Sequence, residues 1–133
     1  MMNSNADARI SFQRCGALLG GLAVLAGAFG AHGLKQHLSA EMLQIFETAC
    51  RYQFFHAVVL WTFGFFPADR WNSQSAKAGV CLVAGILIFS GSLYALALSG
   101  LRILGAVTPL GGTLLMLGWG FLFFGITTEK TRS

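Results

Sequence analysis

A chain of 133 residues has the length of one domain. It is 55% hydrophobic and only 11% charged, with a mean hydropathy of +0.65. Soluble domains carry nearer a quarter charged residues, so a water-soluble fold of this size has too little interior for so much apolar surface, and lipid is the expected solvent.

The net charge of +4 is scattered in ones and twos between apolar runs. That argues against a nucleic-acid binder, which needs a clustered basic face, and fits the Lys/Arg flanks of membrane helices.

The first uncharged run, residues 15–34, is interrupted only by His32. A spanning helix needs about 20 apolar residues, so helix one is expected over about 12–34. Its small residues Gly16, Gly20, Ala23, Gly27 and Gly30 alternate four and three apart. In lipid there is no hydrophobic drive between helices, and such a seam lets two backbones approach closely. A glycine-rich phosphate loop is the competing reading, but the P-loop lysine and the strand-to-helix setting are missing. Arg9 and Arg14 before the apolar run also suit a cleaved signal peptide, although the run is long for one, so a retained helix is expected.

Helix two is expected over 39–66, with Ser39 as N-cap and Pro67 and Asp69 as the stop. Its uncharged part is marginal for a span, so the helix has an amphipathic extension in front. At about 100° per residue, Leu38, Met42, Ile45, Ala49, Tyr52, His56, Val59 and Phe63 fall on one stripe. His56 is therefore expected inside the bundle, with the backbone carbonyls of the helix-one end near His32 as its nearest partners. Glu47 and Arg51 fall opposite, four apart with the acid first, the favourable order for an ion pair. Ionisable residues within a membrane are candidates for function, so His32, Glu47, Arg51, Tyr52, Gln53 and His56 form the candidate cluster.

Helix three is expected over 78–99 and helix four over 109–127. Thr108 as N-cap with Pro109 at the first helical position avoids a mid-helix kink. Gly111, Gly118 and Gly125, seven apart, repeat the packing device. The fold class is thus an all-α membrane protein with four transmembrane helices.

With the N-terminus inside, Arg9, Arg14, Arg70, Lys77, Lys130 and Arg132 lie inside, and Lys35, Arg51 and Arg102 outside. This bias favours both termini in the cytoplasm. Cys15, Cys50 and Cys81 are odd in number and form no CxxC or Cys/His pair. They read as small apolar fillers rather than disulfide or zinc ligands, and no metal or cofactor is expected.

The stretches AFGAHGL (28–34), FETACRYQFFHA (46–57), SGSLYAL (90–96) and TPLGGTLLMLGW (108–119) resemble the domain-of-unknown-function family number 423, the YgdD-type small inner-membrane proteins. The resemblance covers residues 15–127. Gly30, His32, Gly33, Glu47, Arg51, Tyr52, Gln53 and His56 match its most characteristic motifs. It implies a multi-pass bacterial inner-membrane protein and no particular activity.

Two function classes follow. One is a non-enzymatic accessory, assembly or interaction protein whose partners are the bilayer and either copies of itself or a membrane-protein complex. The other is a membrane binding or transport site for a small solute, proton, quinone or haem, built on His32, His56 and Tyr52. An enzyme is not expected, since no Ser–His–Asp set, HExxH motif or carboxylate within an uncharged run is present.

Overall fold

The computed structural model describes residues 4–125. Its frame is four long helices, α1 (Ser4–Phe29), α2 (Ala40–Thr62), α3 (Ser73–Ser99) and α4 (Thr108–Gly125). A π-helical turn, Gly30–Leu34, prolongs α1, and short 3₁₀ turns at Phe63–Phe65, Ala68–Arg70 and Arg102–Ala106 mark the remaining connections. Among the described residues there are helices and turns and no strand.

Several helix ends differ from the expected ones. α1 begins at Ser4 rather than near residue 12, because its polar start is itself helical, with Asp7 in the first turn where the helix dipole favours an acid. α3 begins at Ser73 rather than 78: the Asn72 side chain accepts from the N–H groups of Gln74 (2.9 Å) and Ser75 (3.1 Å) and caps a polar turn ahead of the apolar run. Ser39 caps α2 as expected, accepting from the Met42 N–H. The α-helical part of α2 stops at Thr62 and continues as a 3₁₀ turn before Pro67. α4 is described to Gly125, and residues 126 and 127 lie outside the described residues.

Packing follows chain order. α1 lies on α2, α2 on α3, and α3 on α4, while α1 barely meets α3. The central core joins Leu19 of α1, Ala57 and Leu60 of α2, Ala78, Leu82 and Ile86 of α3 and Leu115 of α4. A second cluster of Leu34, Phe46 and Ala97 closes the end that carries the π turn. At the opposite end Phe63 packs against Phe12, Phe66 and Trp71. The outer surface is apolar, with Leu18, Leu25, Phe55, Val80, Leu87, Met116 and Phe123 all exposed. That is the arrangement lipid requires.

Three helical segments, Ser4–Leu34, Ser73–Ser99 and Arg102–Gly125, are long and apolar enough to cross a membrane. α2 is not among them, because Glu41, Glu47 and Arg51 occupy its first half.

The glycine seams separate into functioning and idle positions. A Cβ on Gly16 would lie 2.4 Å from the Trp61 nitrogen, so the α1 and α2 backbones touch there. Gly30 receives the Phe46 ring and Gly20 sits loosely on Ala57. Gly27 has nothing within 4 Å and does not belong to the seam. Gly27 instead borders a groove between α1 and α2, and the close contact resumes at Gly30 in the π turn. On α4, Gly111 meets the Phe89 backbone, Gly118 meets Leu82, and Gly125 lies beside Gln74. Each seam thus packs on its neighbour in the chain, and the two do not meet.

Candidate functional site

α2 carries the polar centre of the molecule. Its buried residues are Phe46, Ala49, Gln53, His56, Ala57 and Leu60, and Phe63 in the following 3₁₀ turn continues the stripe. The stripe is therefore rotated from the expected one: Gln53 replaces Tyr52, and Phe46 and Leu60 replace Ile45 and Val59. A helix packed on both α1 and α3 buries two flanks, and the shared edge of those flanks runs through Gln53. Tyr52 is partly exposed and lies against the rings of Phe89 and His56.

Gln53 holds three helices together. Its Nε2 donates to the Leu19 carbonyl of α1 at 2.7 Å, and its Oε1 accepts from the Tyr94 hydroxyl of α3 at 2.9 Å. One turn away, Ser90 Oγ of α3 donates to the Ala49 carbonyl at 2.9 Å. His56 does not reach the expected carbonyls near His32; the side chain of α2 that meets a helix-one carbonyl is Gln53, at Leu19.

His56 is buried and bonded at both ring nitrogens. The Tyr52 carbonyl lies 2.7 Å from Nδ1, and the Trp119 indole nitrogen of α4 lies 3.2 Å from Nε2. A carbonyl only accepts and an indole N–H only donates. These partners assign the neutral ring with its proton on Nδ1. The bond crosses from α2 to α4, two helices that otherwise barely touch.

Thr108 does not serve as the expected N-cap. Its hydroxyl sits 2.8 Å from Ser92 Oγ and ties α4 to α3. Each helix interface therefore has its own polar tie, the device that holds helices together where hydrophobic drive is absent.

Glu47 and Arg51 face outward and do not pair with each other. The ion pair described is Glu41 with Arg102, exposed and 3.5 Å apart. Glu47 and Arg51 instead line a shallow groove of about 350 Å³ between α1 and α2, together with the idle Gly27. α2 is continuous between Glu47 and His56. His32 is exposed in the π turn.

His32 and His56 sit at different levels of the bundle. Ala57, next to His56, faces Gly20, and Gly20 is about 18 Å along α1 from His32. The two rings therefore cannot share one haem iron, and Nε2 of His56 is already occupied by Trp119.

Tyr94, Ser90, Ser92, Thr108 and Trp119 complete the polar network, and sequence reasoning did not single them out as a set. Tyr94 and Trp119 do lie in SGSLYAL and TPLGGTLLMLGW, two of the stretches that carry the family resemblance, but nothing in the chain pairs them with Gln53 and His56.

Such a bundle, apolar outside and tied by polar bonds inside, defines a small helical membrane protein. The family model described as "Protein of unknown function (DUF423)" matches residues 26–112, and the chain belongs to that family. The chain is 46% identical over 110 residues to UPF0382 membrane protein SSP2132 of Staphylococcus saprophyticus, covering 83% of this chain and 91% of that one. It is 42% identical over 106 residues to UPF0382 membrane protein YwdK of Bacillus subtilis, covering 78% and 85%. It is 39% identical over 115 residues to a UPF0382 membrane protein of Haemophilus influenzae, covering 86% and 92%. No solved structure matches. The matched segment includes Gln53, His56 and Tyr94, whereas Trp119 lies beyond it.

Proposed function

We propose that this membrane protein crosses a bacterial inner membrane four times, with both termini cytoplasmic, and acts as a non-enzymatic accessory, assembly or interaction protein. The observation that carries this reading is the use of the buried polar side chains. Gln53, Tyr94, Ser90, His56 and Trp119 bond to one another or to backbone, and so serve to hold helices. The charged members of the candidate cluster, Glu47 and Arg51, face outward at a groove, where a second helix can reach them. Spanning by α2 is supported by its packing along both α1 and α3, which fixes it at the same depth as these two. The Lys/Arg bias supports the orientation.

A pull-down of the tagged full chain from membranes in mild detergent tests the proposal. A stoichiometric partner or second copy, lost in Glu47→Ala/Arg51→Ala, is the expected result. A Soret band in the purified protein, or solute uptake by proteoliposomes, would overturn it in favour of a binding or transport site.

A further inference from the structure

Contacts with two neighbouring helices fix the depth of Arg51. Gly16 of α1 meets the α2 backbone at Trp61, and Gly30 meets Phe46. Between these contacts Arg51 and Val24 line the same groove, and Val24 stands midway along the uncharged run 15–34. α3 gives the same level independently. The Ser90 hydroxyl meets the Ala49 carbonyl, and Ser90 is midway along the uncharged run 78–101. With α2 crossing the bilayer beside α1 and α3, Arg51 lies near the midplane, and Glu47 lies one turn nearer the end that carries the π turn.

Both side chains are exposed. Among the described residues neither has a hydrogen-bond or ion-pair partner. A charge at this depth is costly, and such residues normally face the protein interior or pair with one another. The headgroups begin about 15 Å from the midplane, beyond the reach of one arginine side chain, so lipid supplies no phosphate there. The compensation has to come from another protein surface at the same level.

The patch carries its own complement. Its two charges are opposite, one turn apart and on one face of α2. Copies inserted with the same topology can be related by a two-fold axis along the membrane normal, and in such a contact residue i meets j while j meets i. Glu47 of each copy then meets Arg51 of the other. The offset is about 6 Å along parallel helices, a step of the kind that the e and g side chains of parallel coiled coils bridge. Val24 and Phe54, 60% and 42% exposed, flank the charges with apolar surface. Gly27, with nothing within 4 Å, leaves room for side chains of the second copy.

We infer that the groove between α1 and α2 is the interface of a parallel homodimer, joined near the bilayer midplane by two reciprocal Glu47–Arg51 ion pairs. The inference rests on the proposed interaction role and on α2 crossing the bilayer, and it names the partner as a second copy. The pairs join completed chains, so copies separated in dilute detergent should melt alike with or without Glu47.

The test labels full chains at the C-terminus with donor or acceptor fluorophores, mixes them in phosphatidylcholine vesicles, and reads energy transfer as lipid dilutes the protein. The parent should associate as a dimer. Glu47→Arg alone and Arg51→Glu alone set like charges opposite each other and should each weaken association more than about tenfold. Mixed together, these two variants present opposite charges at both contacts and should associate as the parent does. Mixing cannot restore a pair within one chain, so recovery identifies contact between chains. The inference is overturned if the single variants associate as the parent does or if their mixture does not recover. A parent that stays single overturns the inference alone, since the pull-down can still deliver a different protein and leave the interaction role standing. Should the single variants fail to insert, Val24→Trp decides. Its ring fills the groove without changing a charge and should abolish transfer, and unchanged association overturns the inference.

Discussion

Trp119 donates its indole N–H to Nε2 of His56 across the gap between α2 and α4, and the Tyr52 carbonyl holds the other ring nitrogen. Interhelical hydrogen bonds in membranes average about 0.6 kcal/mol and reach about 1.7 kcal/mol. Trp119→Phe, which keeps an aromatic ring and removes the donor, should therefore cost about 0.5–1.5 kcal/mol. His56→Ala removes both bonds and buried volume and should cost more. Glu47→Ala, outward and unpaired with Arg51, should cost almost nothing. Unfolding midpoints in one detergent rank the three variants, and a Glu47→Ala loss equal to that of His56→Ala would contradict the assignment.

Gln53 and Tyr94 should behave as one unit. Tyr94→Phe leaves the Gln53 Oε1 buried without its donor, which costs about 1–3 kcal/mol. Once Gln53→Leu is in place, the same tyrosine change should cost far less. A double-mutant cycle that gives additive effects would show that the 2.9 Å bond contributes no coupling.

The glycines divide by what faces them. Gly16→Ala and Gly111→Ala push a methyl into a neighbouring helix backbone, so both should lower stability by about 1–3 kcal/mol, as overpacking does. Gly27→Ala meets open space and should be neutral or slightly stabilising, since alanine is the better helix former. Melting temperatures of the three variants distinguish the positions. Equal losses would mean that Gly27 is covered in the assembled protein.

Reporter fusions address the path of α2. A fusion at His37 should report the outside, and fusions at Asp69 and Ser133 the cytoplasm. His37 and Asp69 on the same side would mean that α2 lies along the membrane without crossing it.

Much of the fold was legible because it is local. Uncharged runs located the helices and Ser39 announced the start of α2, while Pro67 marks the end of the 3₁₀ turn that follows Thr62 and not of α2 itself. The π turn at Gly30–Leu34 was not legible, since its sequence continues the apolar run without a break. Helix phase was legible only to within one residue. Hydropathy places His56 inwards, but the choice between Tyr52 and Gln53 is made by α1 and α3 together. Partners across helices were hidden altogether: an indole and an imidazole 63 residues apart carry no mark of each other. Thr108 illustrates the same limit, since its hydroxyl suits an N-cap until Ser92 is placed beside it.

The polar contacts at the end opposite the π turn close the two halves of the chain separately. Arg9 donates to the Phe66 carbonyl, and Asn72 Nδ2 donates to the Gly125 carbonyl at 2.9 Å. The first contact closes α1 on the tail of α2, and the second closes α3 on α4. Each helical hairpin is thus latched within its own half of the chain, and the short connection around Ala68–Arg70 lies between the latches. Each hairpin therefore has a closing contact that does not need the other, and the two are joined through Gln53–Tyr94 and Ala49–Ser90. Two polypeptides separated at this connection would each keep the contact that closes its own pair of helices.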